Sequence, residues 1–130
     1  MKIGFIGLGN VGSKLSGSLL RNGFDVSVYD LNSQLMVDFA KNGAKIGENP
    51  EHLMNVCDTI ITCLPSPAAS NMVMQKMLPF VKEGKTWLEM STTDDAEVKR
   101  LGTEVISRGG KAVDCPVSGG CHRADTGNIS

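Results

Sequence analysis

Residues 3–12 read I-G-F-I-G-L-G-N-V-G, a short apolar run that breaks into three glycines, Gly7, Gly9 and Gly12. The spacing is G-x-G-x-x-G, set after a predicted strand and before a predicted helix. In that context the first glycine permits a tight turn, the second lets backbone approach a diphosphate, and the third lets helix and strand pack closely. The phosphate charge would meet unpaired N–H groups at the start of the following helix. Leu8, Asn10 and Val11 belong to the same loop and are expected beside the ligand. A tight β–α turn that holds nothing is the alternative reading of the triplet.

Outward from this corner, short β-branched runs alternate with longer helical periods, the pattern of parallel α/β architecture. The predicted strands are Lys2–Leu8, Asp25–Tyr29, Ala44–Ile46, Thr59–Leu64, Thr86–Glu89 and Lys111–Cys115. Between them fall helices at Val11–Asn22, at Ser33–Asn42, at a short stretch capped by Asn49 with Pro50 in first position, at Pro67–Met77 and at Asp95–Arg108. Six strands joined by five helical connections give a doubly wound parallel sheet of Rossmann type, built from two mononucleotide-binding halves. Residues 1–115 form the dinucleotide-binding unit in this reading. After Cys115 the composition turns to glycine and serine, and 116–130 reads as the start of a substrate-binding loop.

Composition narrows the partners. The 130 residues are 41% hydrophobic and 21% charged with a net charge of −1, ordinary for a water-soluble globular domain. Such a balance, without a basic stripe, argues against nucleic acid or an anionic membrane as partner. Nothing is long enough to span a bilayer, and the opening run is too short and glycine-broken for a secretory signal. Cys57, Cys63, Cys115 and Cys121 form no C-x-x-C pair and read as reduced, mostly buried thiols, which suits a cytoplasmic setting. His52 and His122 have no companions at metal-ligand spacing, so no metal is expected. Met72, Met74, Met77 and Trp87 read as packing residues.

Three further stretches fall at predicted strand ends, the edge where open α/β sheets bind ligands. Asp30 closes the second strand, eighteen residues beyond Gly12. A carboxylate there accepts from ribose hydroxyls and repels a 2′-phosphate; Asn32 is near enough to assist and Leu31 brings no positive charge, so NAD is favoured over NADP. Capping of the next helix by Asp30 is the alternative. Leu64-Pro65-Ser66-Pro67 forces the chain out of the sheet after the fourth strand. Ser91, Thr92 and Thr93 offer hydroxyls after the fifth, with Thr92 or Thr93 as a helix N-cap in the alternative. Asp114 to Gly120 follows the sixth, where Ser118, Gly119 and Gly120 expose backbone N–H groups suited to a carboxylate.

Together, G-L-G-N-V-G, L-P, E-M-S-T and D-C-P-V-S-G-G-C-H-R-A-D-T-G resemble the β-hydroxyacid dehydrogenase family, of the 3-hydroxyisobutyrate dehydrogenase-like kind, over essentially the whole chain. The resemblance implies an amino-terminal NAD-binding domain of an oxidoreductase that moves hydride between a nicotinamide cofactor and a small 3-hydroxy acid or its semialdehyde. It implies that Gly7, Gly9, Gly12 and Asp30 hold the diphosphate and adenosine ribose. Leu64 and Pro65 would line the cofactor site, Thr92 would lie near the nicotinamide, and Ser118, Gly119 and Gly120 would grip the substrate carboxylate. Ala69 stands where the family often has asparagine, and Glu89 replaces the more usual aspartate. None of the lysines matches the family's catalytic lysine motif, which belongs with a following all-helical, dimerising domain. The expectation is therefore a chain that binds NAD but turns over little by itself, within a homo-oligomeric whole. A non-catalytic NAD-binding module is the first alternative. A 6-phosphogluconate dehydrogenase-like enzyme is the second, made awkward by Asp30 because that group usually takes NADP.

Overall fold

The computed structural model describes residues 1–91 and 94–115. Strands and helices alternate along the chain: β1 (Lys2–Ile6), α1 (Asn10–Arg21), β2 (Asp25–Tyr29), α2 (Ser33–Ala40), β3 (Lys45–Ile46), α3 (Pro50–Val56), β4 (Thr59–Thr62), α4 (Pro67–Met77), β5 (Thr86–Glu89), α5 (Asp95–Ser107) and β6 (Lys111–Asp114). The sheet order is β3-β2-β1-β4-β5-β6, with every pair parallel. This is the doubly wound α/β class that the sequence predicts.

Period-two alternation along the central strands builds both halves of the core. Ile3 and Phe5 of β1 join Val26, Val28 and Ile61 in one apolar cluster, which takes Leu15 from α1 and Leu35 and Phe39 from α2. Ile6, one residue on, faces the other side with Ile60 and Trp87, against Leu53 of α3, Met74 and Met77 of α4, and Leu101 of α5. Trp87 is buried to 1% exposure, and its indole N–H donates to Thr62 Oγ1 at 2.9 Å, so its one polar atom is satisfied. Lys85 closes the end of α3: its buried ammonium donates to the carbonyls of Cys57 at 2.7 Å and Asn55 at 3.0 Å. Burial, with Lys82 nearby, holds that ammonium below the usual lysine range.

Several element ends differ from the sequence reading, each for a local reason. β1 stops at Ile6 rather than Leu8 because Gly7 takes φ +100 and turns the chain out of the ladder. β4 stops at Thr62, short of Leu64, whose N–H leaves the ladder for a side chain. α2 ends at Ala40 rather than Asn42, β3 shortens to Lys45–Ile46, β6 ends at Asp114, α5 ends at Ser107, and α1 runs one residue earlier at both ends than expected. The cap of α5 is Asp94, whose Oδ1 accepts the Ala96 N–H at 2.8 Å, not Thr92 or Thr93. Among the described cysteines Cys57 is buried, Cys63 partly buried and Cys115 exposed, so burial is less general than composition suggested. No helix among the described residues is long and apolar enough to cross a membrane.

Candidate functional site

Strand order reverses between β1 and β4, and in open α/β sheets the crevice outside the strand ends at that point takes the ligand. Here it holds a cavity of about 770 Å³. Its floor is the glycine corner, one side wall is the end of β2, and the other runs from the ends of β4 and β5 to one face of α4.

The glycine corner is built for backbone approach. A Cβ at Gly7 would collide with the carbonyl oxygen of Cys63, and one at Gly12 with the carbonyl oxygen of Gly7, so those two glycines let β1, β4 and α1 close on one another. Gly9 is different: a Cβ there meets nothing within 4 Å and would project into open space. Side chains cap the other four helices, Asn32 for α2, Asn49 for α3, Ser66 for α4 and Asp94 for α5. Gly9 gives α1 no side-chain cap, and the first turn of α1 carries no acidic residue. The first backbone N–H groups of a helix have no intrahelical acceptor, and here the positive end of the dipole faces the cavity through Gly9, Asn10, Val11 and Gly12. The residues thus fit a diphosphate, which would supply the missing acceptors.

Asp30 carries the opposite side. Its Oδ2 accepts the Leu8 N–H at 2.8 Å and its Oδ1 accepts the Asn32 N–H at 2.8 Å, so one carboxylate ties the glycine loop to the β2–α2 turn. Asp30 does not cap α2; that is done by Asn32, whose Oδ1 accepts the Gln34 N–H at 3.1 Å. Each carboxylate oxygen can accept a second bond, so the group can still face ribose hydroxyls. Leu31, 91% exposed, and Asn32 line the cavity beside it, with no basic residue in the turn. Leu8, expected at the ligand, is instead a core residue at 1% exposure and forms no part of the cavity wall. Its contribution is the N–H that holds Asp30.

On the far wall, Leu64, Pro65 and Ser91 line the cavity as the sequence placed them, with Cys63 and Met90 between. Leu64 N–H donates to Ser91 Oγ at 2.6 Å, and Ser91 N–H donates to Glu89 Oε1 at 2.8 Å. Burial, and then the Glu89 carboxylate, pushes the Cys63 thiol up to about 11, which makes it a poor nucleophile at neutral pH. Ala69, Met72, Val73 and Lys76 form the α4 face of the wall. Met72 is therefore not the packing residue that was expected: it is 60% exposed and faces the cavity. The i, i+3, i+4, i+7 spacing of that face was available in the sequence, but a stripe that lines a cavity looks the same there as one that packs. Thr92, Ser118, Gly119 and Gly120 lie outside the described residues.

Comparisons with known proteins agree with this geometry. A family model described as the NAD binding domain of 6-phosphogluconate dehydrogenase matches residues 2–130. Cytokine-like nuclear factor N-PAC from Homo sapiens is 34% identical over 131 residues, covering 98% of this chain and 24% of that protein. Mitochondrial 3-hydroxyisobutyrate dehydrogenase from Rattus norvegicus is also 34% identical, with 98% and 39% covered. The crystal structure of Mycobacterium tuberculosis 3-hydroxyisobutyrate dehydrogenase with L-serine superposes with a TM-score of 0.91 at 26% identity, covering 98% of this chain and 44% of that one. The chain thus spans between about a quarter and less than half of these relatives. It belongs to the family of nicotinamide-cofactor domains described for 6-phosphogluconate dehydrogenase, as an amino-terminal NAD-binding domain of the β-hydroxyacid dehydrogenase kind.

Proposed function

We propose that this chain holds NAD, in preference to NADP, for an oxidoreductase that acts on a small 3-hydroxy acid or its semialdehyde. The observation that carries the cofactor choice is Asp30: a carboxylate fixed by two backbone N–H groups at the end of β2, in a turn without a cation. The bound nicotinamide would supply the hydride chemistry. The chain's own residues do the holding. The start of α1 takes the diphosphate, Asp30 takes the adenosine ribose, and Leu64, Pro65 and Ser91 shape the nicotinamide side. Thr92 would add to that side. Residues 116–130 would open a substrate segment in which Ser118, Gly119 and Gly120 meet the substrate carboxylate.

Lys76 is the lysine of the cavity wall, two turns or about 10 Å along α4 from Ala69 at the ligand edge. On this reading the reacting carbon lies by the turn after β4, so Lys76 is not proposed as the group that moves the proton. The 130-residue polypeptide is expected to bind cofactor with little turnover, in a setting proposed as cytoplasmic and homo-oligomeric, without nucleic-acid or membrane partners. The N-PAC likeness favours a second reading, a cofactor-binding module that performs no chemistry, since that relative's name is of a nuclear factor. Calorimetric titration tests the cofactor choice: NAD+ should bind more tightly than NADP+, and equal or reversed affinities would remove it. Assaying 3-hydroxy acids and NAD+ with the whole gene product that carries this domain separates enzyme from module.

A further inference from the structure

Glu89 is fully buried at the end of β5, and its Oε2 has no hydrogen-bond partner among the described residues. A buried carboxylate with an empty acceptor costs stability, and an aliphatic side chain would fill the same volume without that cost. What the carboxylate does hold is Ser91. The backbone shows why a hold is needed there. At the end of β4 the Cys63 N–H still pairs with Ile6 O at 2.9 Å, and the Met90 N–H with Thr62 O at 2.9 Å. One residue later the ladder has ended, and the Leu64 N–H reaches sideways to the Ser91 hydroxyl. The relay Glu89–Ser91–Leu64 thus joins the two loops that leave β4 and β5. Both lie on the cavity wall opposite Asp30. A dinucleotide spans the switch point, so with the adenosine ribose at Asp30 the nicotinamide half falls on this wall.

We propose that Glu89 is a positioning residue for the nicotinamide half of the cofactor, acting through Ser91 to fix the Leu64–Pro65 turn. It rests on the cofactor reading above and adds a residue that touches no ligand. Two ligands separate a positioning role from a merely structural one: NADH, followed by nicotinamide fluorescence, and ADP-ribose, which lacks the nicotinamide, followed by calorimetry. Glu89→Ala and Ser91→Ala should each weaken NADH by roughly tenfold, the scale of one lost hydrogen bond, while ADP-ribose affinity stays at the wild-type value. Glu89→Gln keeps an acceptor for the Ser91 N–H and should recover most of the NADH affinity. If Glu89→Ala fails to fold, Glu89→Leu, which fills the volume but offers no acceptor, replaces it and should show the same selective loss of NADH affinity. Equal losses for both ligands, or no loss for either, overturn the positioning role while leaving the cofactor site in place. A folded wild-type protein that binds neither ligand overturns both.

Discussion

Replacing Asp30 by alanine separates two duties that one carboxylate performs. It accepts the Leu8 and Asn32 N–H groups, both at 2.8 Å, the first partly buried and the second exposed. Hydrogen bonds to a charged acceptor contribute roughly 1.5–3 kcal/mol when buried and less in water, so the pair is set at about 2 kcal/mol. For a domain of this size that lowers Tm by roughly 6 °C. The second duty concerns selectivity. Two unit charges about 4 Å apart repel by about 1 kcal/mol in water and about 4 kcal/mol near a protein surface, enough for NAD+ to be preferred at least several-fold over NADP+. Thermal unfolding with and without each cofactor reads both duties, because a ligand raises Tm according to its affinity for the folded state. Wild-type protein should be raised more by NAD+ than by NADP+. Asp30→Ala should start several degrees lower and respond to the two more alike. A lower Tm with the preference intact would leave Asp30 as a loop fastener only, and an unchanged Tm would refute the hydrogen-bond reasoning itself.

The glycines should divide in the same assays. Gly7→Ala and Gly12→Ala force a Cβ onto backbone carbonyls and should cost several kcal/mol, on the order of other severe backbone clashes, seen as a large loss of midpoint in urea. Gly9→Ala meets open space and should leave the urea midpoint near wild type while weakening NAD+, so an equally unstable Gly9→Ala would contradict this division. Lys85→Met removes the two bonds that close α3 and should cost about 1–3 kcal/mol by urea unfolding, although the cavity is remote from it. Cys63 supplies a pH test. Its thiol ionises near 9.0 when unfolded and near 11 when folded, so between those values the folded chain holds more protons and stability falls as pH rises. Cys63→Ala should flatten that decline, and at pH 8 iodoacetamide should label Cys63 slowly, as followed by fragmentation mass spectrometry.

Local chemistry made much of this legible beforehand. β2, β5 and α4 have the bounds that their apolar patterns predict, and Asn49 caps a proline-led helix as its place before Pro50 predicts. The glycine corner was readable from its spacing, which places a turn at Gly7 and a close approach of Gly12 to the Gly7 carbonyl five residues back. What stayed hidden depends on partners far along the chain. The sequence places Asp30 for a ribose, with capping as the alternative, yet neither reading shows that it binds Leu8, 22 residues away. Leu8 looks like part of the loop, yet its side chain turns into the core. Leu64 extends an apolar strand pattern, yet its N–H belongs to Ser91, 27 residues on. Strand order brings these groups together, and no window of sequence contains it. Glu89 is the sharpest instance: the sequence marks it only as standing in for an aspartate, and the fold shows it fully buried.

The start of α1 carries the whole functional reading, and its backbone can be watched directly. In a 15N NMR titration of the folded chain with NAD+, the amide resonances of Gly9, Asn10, Val11 and Gly12 should shift saturably, together with those of Leu8 and Asn32 that hold Asp30. Resonances that stay fixed at this corner at millimolar NAD+, in a well-dispersed spectrum, would contradict a diphosphate site there.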